Sequence, residues 1–584
     1  GEFDLSGLQV LCDPGAAPLA AQGTLQLQRY LALLREADAC LERGEALLQR
    51  SAAQLGDVGA SDFAAQSLRN RFIKNAINLA AVRYADAPGP ASLAYCYRWL
   101  ELDKAQRLRQ AVQNTEAKAF AGLPDSLLQQ DAASAGNIAA LEQSLKTAEE
   151  SGDSVAMLQL RSGALFEAKR DREALVRRIE REYPEYFALK YQNTPLALEE
   201  LQRRLPPGTL VLEINFDPAR NTLYLLPVTN TSASLVSRVV PPGLDQNISR
   251  LHALLQSPAT ARAPRRTEFV QLSHELYRQF IAPIESQLTG IKHLVICGEG
   301  AAQYLPFEVL LRDGTDQSIQ ALDFLIRRFE VSYHYSATLL AQKPAGEPRA
   351  AGGDPLSLLG FAPVFPPAAT SGPLLTANRD TSLRAYDAGG QWSPLPYSEK
   401  EVQDIARLFQ AQKPGSARTL LREQATEPAL LEALSRGHRI VHIASHSFAN
   451  IRQPKFSGIA CFSPDPATAD GTMYVGEIYN LAARADLVVL SSCESGLGRL
   501  VRGEGLLGLN RAFLYAGVPN VMYSLWKVND RAAADFMVFF YRAVLEGKPY
   551  AAALRSAKLK MLENPATAAP GLWSGFLGMY HLKD

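Results

Sequence analysis

Three short apolar segments in the second half of the chain constrain its fold more than any other feature of the sequence. Segments with the apolar spacing of helices separate them, and their sequences are RIVHIASHS, DLVVLSSC and VPNVMYSLW. None alternates strictly between apolar and polar residues, which is typical of strands that helices cover on both faces. We therefore predict an α/β second half whose mostly parallel sheet is covered by helices.

Further elements of the same kind begin near residue 195, where the composition changes. The additional predicted strands are LPPGTLVLEINF, TLYLLPVT, HLVICGEG and LLGFAPVF. The predicted helices between strands include YSEKEVQDIARLFQ and GEGLLGLNRAFLYAG. Residues 343–395 are rich in Gly, Pro, Ala and Ser, and we expect them to form a long, partly mobile excursion.

The first third of the chain has a helical pattern almost throughout, from about residue 23 to residue 192. Apolar residues recur three and four positions apart, and two long helices are predicted on either side of Ser151-Gly152-Asp153. The 34-residue period of tetratricopeptide (TPR) repeats is not clean here. We predict an all-helical, TPR-like domain at residues 1–194, followed by two parts of the α/β domain at 195–340 and 341–584.

The charge balance and hydropathy of the chain argue against several classes of protein. Basic and acidic residues number 60 each, so no overall field favours nucleic acid or an anionic membrane. No apolar run approaches the roughly 20 residues of a membrane helix, and we expect no signal peptide. We therefore expect a cytoplasmic protein. The opening Gly1-Glu2-Phe3 resembles a cloning remnant, so the natural chain is expected to extend upstream.

The six cysteines are widely scattered and form no CxxC pair. Their spacing suits reduced thiols, and the clustered ligands of structural zinc are missing from the sequence. We predict neither a metal nor a cofactor, and we expect most of these thiols to be small buried apolar groups. The cysteines are Cys12, Cys40, Cys96, Cys297, Cys461 and Cys493.

Two of the apolar strands end in reactive side chains. RIVHIA is followed by Ser445-His446-Ser447, and DLVVLSS is followed by Cys493. In open α/β sheets, chemistry gathers at the carboxyl ends of the strands, so neighbouring parallel strands would bring His446 and Cys493 together. A free thiol has a pKa of about 8.5, and a nearby imidazole can take its proton. The alternative is that both side chains are structural.

His442 lies four residues before His446, a spacing that on a helix would suggest zinc. On a strand the same spacing separates the two residues by about 13 Å, so a shared metal is not expected. We expect His442 to support the site or to fill the core.

The α/β half resembles the CHAT family, the caspase- and separase-like cysteine peptidases of clan CD. The resemblance covers residues 195–584 and runs in order along the chain. The segments that carry it are YLPFEVLL, LPYSEKEVQDIARLF, VHIASHS, VVLSSCESGLG and GEGLLGLNRAFLYAGVPNVMYSLWKVND. The resemblance implies a caspase- or separase-like α/β fold.

The same resemblance implies roles for the residues at the two strand ends. Cys493 matches the nucleophile and His446 its acid–base partner, and Glu494-Ser495-Gly496 match the turn after the nucleophile. The backbone amides of Cys493 and Ser447 would form the oxyanion hole. Position 447 is usually glycine in the family, so serine would add strain if the backbone there needs a positive φ.

Substrate selection has several candidate residues. In the separase relatives an acidic side chain holds a basic P1 residue, and Asp530 lies in the comparable stretch, SLWKVND. The alternative is that Asp530 caps the helix beginning RAAADFMVFFY. Glu494 and Glu504 are weaker candidates for the same role. Trp526 would either wall the S1 pocket or belong to the core.

Two functions of different classes follow from these residues. The first is a cysteine endopeptidase that cleaves a protein after Arg or Lys, controlled by the helical domain or by an activator protein bound to it. The family analogy points to regulated proteolysis in bacterial stress, cell death or antiviral defence. The second is a catalytically silent scaffold that binds a partner protein. A hydrolase of small amides is a third, poorer candidate.

Overall fold

The computed structural model describes most of the chain from residue 63 onward. The described residues are 43–44, 63–104, 108, 125–183, 195–257, 264–342, 356–365, 392, 395–450, 454–464, 471–479, 481, 483–491, 499–501, 505–526 and 528–582. Most of the excursion predicted at residues 343–395 lies outside them, and so do Cys493, Glu494 and Glu504.

Helices dominate the described residues of the first third and then alternate with strands, as predicted. In chain order the α-helices are α1 Phe63–Asp86, α2 Pro90–Leu102, α3 Asp125–Ser151, α4 Val155–Glu182, α5 Leu198–Arg204, α6 Leu244–Leu255, α7 Arg265–Phe280, α8 Ala337–Ala341, α9 Ser398–Gln412, α10 Glu427–Arg436, α11 Val475–Ile478, α12 Leu509–Tyr515, α13 Asp530–Leu545 and α14 Tyr550–Glu563.

The strands form one large sheet and two small ones. They are β1 Thr209–Asp217, β2 Thr222–Val228, β3 Val236–Val239, β4 His293–Cys297, β5 Glu330–Tyr333, β6 Leu358–Ala362, β7 Ala417–Leu421, β8 Ile440–Ile443, β9 Ser447–Phe448, β10 Gly458–Ala460, β11 Thr472–Tyr474, β12 Leu487–Leu490, β13 Arg499–Val501, β14 Gly505–Leu507, β15 Asn520–Ser524 and β16 Phe576–Met579. The large sheet has 11 strands in the order β3-β2-β1-β4-β5-β16-β15-β12-β8-β6-β7.

The large sheet consists of two mainly parallel halves that run in opposite directions, and β2 in the first half is antiparallel to both β1 and β3. Strands β1, β4, β5 and β16 are parallel to one another, and so are β15, β12, β8, β6 and β7. The junction is the antiparallel pair of β16 with β15. The two halves therefore present the carboxyl ends of their strands at opposite edges, and the edge formed by β8 and β12 belongs to the second half alone.

The N-terminal helices α1 and α2 pack directly on the first half of the sheet. Ile77 and Trp99 share one apolar cluster with Val211, Tyr224 and Val295, which lie on β1, β2 and β4. Burial of such a cluster is the main force that holds helices on a sheet. The core is thus continuous across residue 194, while the domain boundaries given above stay predictions.

Buried ion pairs reinforce this junction. The Lys74 ammonium on α1 lies 2.7 Å from a carboxylate oxygen of Asp103 and 2.6 Å from one of Glu299. The Lys104 ammonium pairs with Glu213 on β1, and both groups are buried. Charges removed from water need such partners, so the loss of either lysine would leave buried carboxylates without the ammonium that they pair with.

Helices α3 and α4 form an antiparallel hairpin whose turn was correctly predicted. α3 ends at Ser151, Gly152 takes the left-handed conformation that glycine favours (φ 71°), and α4 begins at Val155. The Ser154 hydroxyl caps α4 by accepting a hydrogen bond from the Met157 N–H. Of the described helices, none is both long and apolar enough to cross a membrane.

One predicted helix was wrong over its first part. Among its described residues, the segment GEGLLGLNRAFLYAG is helical at Leu509–Tyr515, whereas Gly505–Leu507 pairs as a strand with Arg499–Val501. Glycines at 503, 505 and 508 lower the helical propensity of that part, so strand pairing prevails.

Candidate active site

The two strands that precede His446 and Cys493 are neighbours and run in the same direction. β8 and β12 pair in parallel, with Ile443 opposite Leu490 in the register. The pairing continues beyond β12, because the Ser491 N–H donates to the Ile443 carbonyl over 2.9 Å. His446 and Cys493 each follow these paired strand ends by three residues, although Cys493 itself lies outside the described residues.

The His446 imidazole is enclosed by aromatic rings. Its ring stacks on the Trp392 indole, with centroids 5.2 Å apart and planes at 14°, and Phe365 lies 5.5 Å away. The side chain of His446 is 1% exposed. Two hydrogen bonds also attach this part of the chain to Ala460 of β10. The Ser445 hydroxyl donates to the Ala460 carbonyl, and the His446 carbonyl accepts the Ala460 N–H. The imidazole is therefore held in one place and shielded from solvent.

Ser447 begins β9 and lies opposite Ile459 of β10. Of the non-glycine residues that the structure describes, only Asn221 and Arg422 have a positive φ. The backbone at Ser447 thus takes a conformation that serine adopts without strain. The departure from the family's usual glycine carries no backbone penalty here.

His442 is fully buried on β8 and joins two helices to the strand. Its Nε2 lies 2.9 Å from a carboxylate oxygen of Glu401 on α9, and its Nδ1 lies 3.0 Å from the Tyr541 hydroxyl on α13. The two ring nitrogens are thus occupied by protein partners, as expected of a residue that supports the strand. No group of metal ligands occurs among the residues that the structure describes.

Asp530 is the first residue of α13, but it is not the cap of that helix. The capping residue is Asn529, whose side chain accepts the Ala532 N–H over 3.1 Å. The cap alternative for Asp530 was therefore wrong by one residue, because both Asn and Asp are good caps and the sequence offers them in succession. A carboxylate oxygen of Asp530 instead accepts the Tyr397 N–H over 2.8 Å, at the start of α9.

Trp526 lies in the core. Its side chain is 2% exposed, its indole N–H donates to the Gly571 carbonyl over 2.9 Å, and the His252 ring lies 5.2 Å away. This environment favours the core alternative over a wall of the S1 pocket. The other candidates for that pocket, Glu494 and Glu504, lie outside the described residues.

Three aromatic residues around His446 were not predicted from the sequence. Trp392 lies 5.2 Å from His446 and 5.8 Å from Phe448, and Phe365 packs against both Trp392 and His446. Trp392 belongs to a Gly- and Pro-rich stretch in which no periodic pattern indicates its partner. Phe448 was identifiable in principle, since it follows His446 by two residues.

The cysteines that the structure describes do not include the candidate nucleophile, and their buried surroundings make them unreactive. Cys96, Cys297 and Cys461 are buried and are not part of a disulfide. Burial raises the pKa of Cys96 to about 12 and holds the pKa of Cys297 well above its ordinary value. A thiol kept protonated in this way is a poor nucleophile, as predicted for most of the cysteines.

Comparison with known proteins finds one family model. The model of the CHAT domain matches residues 270–581, which is just over half of the 584 residues. The matched region contains both strands of the candidate site and every residue assigned to it above.

Curated relatives share the sequence at low identity. Tetratricopeptide repeat protein 28 of Mus musculus is 25% identical over 425 residues, which is 65% of this chain and 16% of that protein. The Homo sapiens protein of the same name is 26% identical over 216 residues, or 32% of this chain and 8% of that protein. The chain therefore spans less than a fifth of the length of the relatives it matches.

Solved structures give distant similarities. The separase–securin complex of Saccharomyces cerevisiae matches with a TM-score of 0.40 and 11% identity, covering 68% of this chain and 31% of that one. The Arg-specific cysteine proteinase gingipain R of Porphyromonas gingivalis matches with a TM-score of 0.34 and 9% identity, covering 57% of this chain and 73% of that one. Both TM-scores are low.

Proposed function

Because this chain belongs to the CHAT domain family, we propose that it is a cysteine endopeptidase in which Cys493 is the nucleophile and His446 its acid–base partner. The observation that carries the proposal is the parallel pairing of β8 with β12 in matched register. Two side chains that follow such neighbouring strand ends by equal numbers of residues lie at one edge of the sheet.

The chemistry that follows is acyl transfer through a thioester. The Cys493 thiol passes its proton to His446, and the thiolate attacks the carbonyl carbon of the scissile peptide. The imidazolium then gives that proton to the leaving amine, and a thioester remains on Cys493. His446 next takes a proton from water, whose oxygen attacks the thioester. Release of the acid product restores the thiol with that proton.

The backbone amides of Ser447 and Cys493 are the proposed donors to the oxyanion. The Ala460 N–H donates to the His446 carbonyl, so Ser447 and Ile459 form a non-hydrogen-bonded pair of the β9–β10 ladder. In such a pair the Ser447 N–H is directed away from β10, which is a requirement for a donor that faces substrate. Each such donor lowers the barrier by about 3 kcal/mol.

Asp530 is the proposed partner of a basic P1 residue. It is half-buried, and its bond to the Tyr397 N–H fixes the carboxylate at the start of α9. A carboxylate accepts several hydrogen bonds at once, so an arginine could pair with a group anchored in this way. We propose protein substrates cleaved after Arg or Lys, and a reducing compartment such as the cytoplasm, which suits the free thiols.

A scaffold without catalytic activity is the second candidate. The enclosure of His446, which is 1% exposed, favours it, because a peptide cannot reach the imidazole unless Trp392 or Phe365 moves. The curated relatives are named for tetratricopeptide repeats, and helical repeats commonly bind partner proteins.

A cleavage-site profile of a whole proteome separates the two candidates. We expect new N-termini after Arg or Lys with the wild-type protein and none with Cys493→Ala. Cys96→Ala is the matched control, because Cys96 is buried in the helical region, and it should give the wild-type profile. Equal profiles for the wild type and Cys493→Ala would remove the peptidase proposal.

A further inference from the structure

The helical hairpin α3–α4 contacts the polypeptide that follows His446. The Lys146 ammonium on α3 lies 4.3 Å from the ring centroid of Phe456 and 5.6 Å from that of Tyr474. Phe456 precedes β10, and Tyr474 ends β11. A cation over an aromatic face is attracted to it, so the hairpin has a specific contact on the small sheet β9–β10–β11.

Glu142 makes a second contact at the same place. Its carboxylate lies 2.7 Å from the ammonium of Lys169 on α4 and 2.8 Å from that of Lys455. Burial alone would raise the pKa of Glu142, but the hydrogen bonds from Lys169 and Lys455 outweigh it and lower the pKa. The carboxylate is therefore ionised at neutral pH, and it joins both helices of the hairpin to the residue before Phe456.

A continuous chain of aromatic rings leads from this contact to His446. The Phe456 ring lies 6.1 Å from Tyr474, Tyr474 lies 6.3 Å from Phe448, and Phe448 lies 5.8 Å from Trp392. Trp392 in turn stacks on His446. We call these four residues, Phe456, Tyr474, Phe448 and Trp392, the aromatic chain. Rings in contact at these distances restrict one another because protein interiors are close-packed.

The backbone provides a parallel connection. β9 begins with Ser447, directly after His446, and pairs with β10, which pairs with β11. A shift of β10 or β11 would therefore move the His446 backbone as well as its aromatic neighbours. Both routes begin at the face that Lys146 contacts.

We propose that the α3–α4 hairpin positions the His446 imidazole through the aromatic chain, with Lys146 as the positioning residue at the junction. Its catalytic consequence rests on the peptidase proposed above. Lys146 contacts Phe456 and Tyr474, so it acts on His446 through the aromatic chain and through the paired strands β9, β10 and β11. The hairpin thereby becomes the part of the helical region that sets the geometry of the catalytic histidine.

The test compares Lys146→Ala with two matched variants. Lys146→Arg keeps a cation over the Phe456 ring. Lys560→Ala removes an exposed lysine of α14 that pairs with Glu563. We expect Lys146→Ala to lower kcat about three- to tenfold with KM unchanged, Lys146→Arg to restore most of the loss, and Lys560→Ala to behave as wild type. An unchanged kcat in Lys146→Ala would overturn the proposal.

A spectroscopic readout does not depend on peptidase activity. The eight histidines are labelled at Cε1 with carbon-13, and the His446 signal is assigned by its loss in His446→Gln. We expect the His446 signal to shift in Lys146→Ala and to stay in place in Lys560→Ala. If the wild type cleaves no substrate while this shift occurs, the peptidase proposal fails and the positioning role stands. If the signal does not shift, the positioning role fails.

A second variant covers the case in which Lys146→Ala fails to fold. Phe456→Leu keeps an apolar side chain but removes the ring that Lys146 contacts. We expect it to lower kcat and to shift the His446 signal as Lys146→Ala does, and the effects of the two changes should not add, because both break one contact. Additive effects, or a Phe456→Leu variant that behaves as wild type, would contradict the role of the aromatic chain.

Discussion

The imidazole of His446 and the indole of Trp392 are stacked, with their ring centroids 5.2 Å apart and their planes at 14°. The indole covers one face of the ring, and Phe365 lies near it at 5.5 Å, so that the side chain is almost entirely shielded from solvent. A histidine that is to exchange protons with substrate must be uncovered at some stage of the reaction. In the proposed mechanism, the stack must therefore open before His446 exchanges a proton with substrate.

Trp392→Ala should uncover this histidine. We expect diethyl pyrocarbonate to modify His446 on the order of tenfold faster than in the wild type, because modification then needs no prior opening of the stack. Mass spectrometry of the peptide that contains His446 measures the rate. Trp392→Phe keeps a ring over the imidazole and should stay close to the wild-type rate. Equal rates in all three proteins would show that Trp392 does not limit access.

Asp530→Asn should show whether this carboxylate binds a basic P1 residue or serves only to bond to the Tyr397 N–H. An asparagine side chain can still accept the Tyr397 N–H but carries no charge for a basic P1 residue. We expect kcat/KM for Arg-P1 peptides to fall about tenfold or more, with little change in the free energy of unfolding.

The control for that experiment is the neighbouring cap residue. Asn529→Ala removes the side chain that accepts the Ala532 N–H, and we expect it to cost about 1 kcal/mol of stability without a change in P1 preference. A loss of stability in Asp530→Asn that equals the loss in Asn529→Ala, with an unchanged P1 preference, would assign Asp530 a structural role.

Ser447→Gly should have little effect on catalysis. The backbone at Ser447 has no positive φ, and the proposed oxyanion donor is its N–H, which glycine also possesses. We expect kcat within about twofold of the wild type and a loss of about 0.5–1 kcal/mol in stability, because glycine loses more chain entropy in a strand. A large gain in kcat would show instead that serine at this position impairs the site.

The pairing of His442 with Glu401 should stabilise the strand that leads to His446. Glu401→Ala leaves the buried Nε2 of His442 without the carboxylate 2.9 Å away, which should cost about 1–3 kcal/mol in the free energy of unfolding. Glu399→Ala, two residues away on the same helix, removes a carboxylate that pairs with the exposed Arg422 and should cost much less. Urea unfolding of the two variants measures the difference, and equal losses would contradict this role of Glu401.

The sequence predicted the elements of the site better than their surroundings. The reactive residues at the ends of two apolar strands indicated that His446 and Cys493 would meet if those strands were parallel neighbours, and the structure shows that β8 and β12 are parallel neighbours. The start of α13 was wrong by one residue, since Asn529 and Asp530 are equally suited to cap it. Strand patterns thus identified strands that pair in the structure, while capping preferences alone do not fix a helix boundary.

The relationships that were missed are non-local. Nothing in FLGM, the four residues of β16, indicates that this strand enters between β5 and β15 and reverses the sheet there. The sequence of α1 has no marked amphipathic pattern, so nothing in it indicates that this helix packs on β1 and β2. Trp392 lies in a segment without periodicity, so its stack on His446 depends on tertiary contacts that only the fold defines.

Stability should decrease below pH 6.5 because several histidines are buried in their neutral form. Burial lowers the pKa of His252, His293 and His581 to about 4, below the ordinary value of 6.5. Between these values the unfolded chain binds protons that the folded protein excludes. The stabilisation that comes from keeping these histidines neutral is therefore fully present above pH 6.5. It is lost as the pH falls towards 4, by up to about 1.4 kcal/mol per pH unit for each histidine.

A single substitution tests this assignment. His293→Gln is neutral at every pH and can still bond to the Ser332 hydroxyl, which lies 2.7 Å from the His293 Nε2. We expect the urea midpoint of this variant to fall less between pH 7 and pH 5 than that of the wild type, because one of the groups that titrate on unfolding is gone. The same dependence in both proteins would mean that His293 has the same pKa in the folded protein as in the unfolded chain.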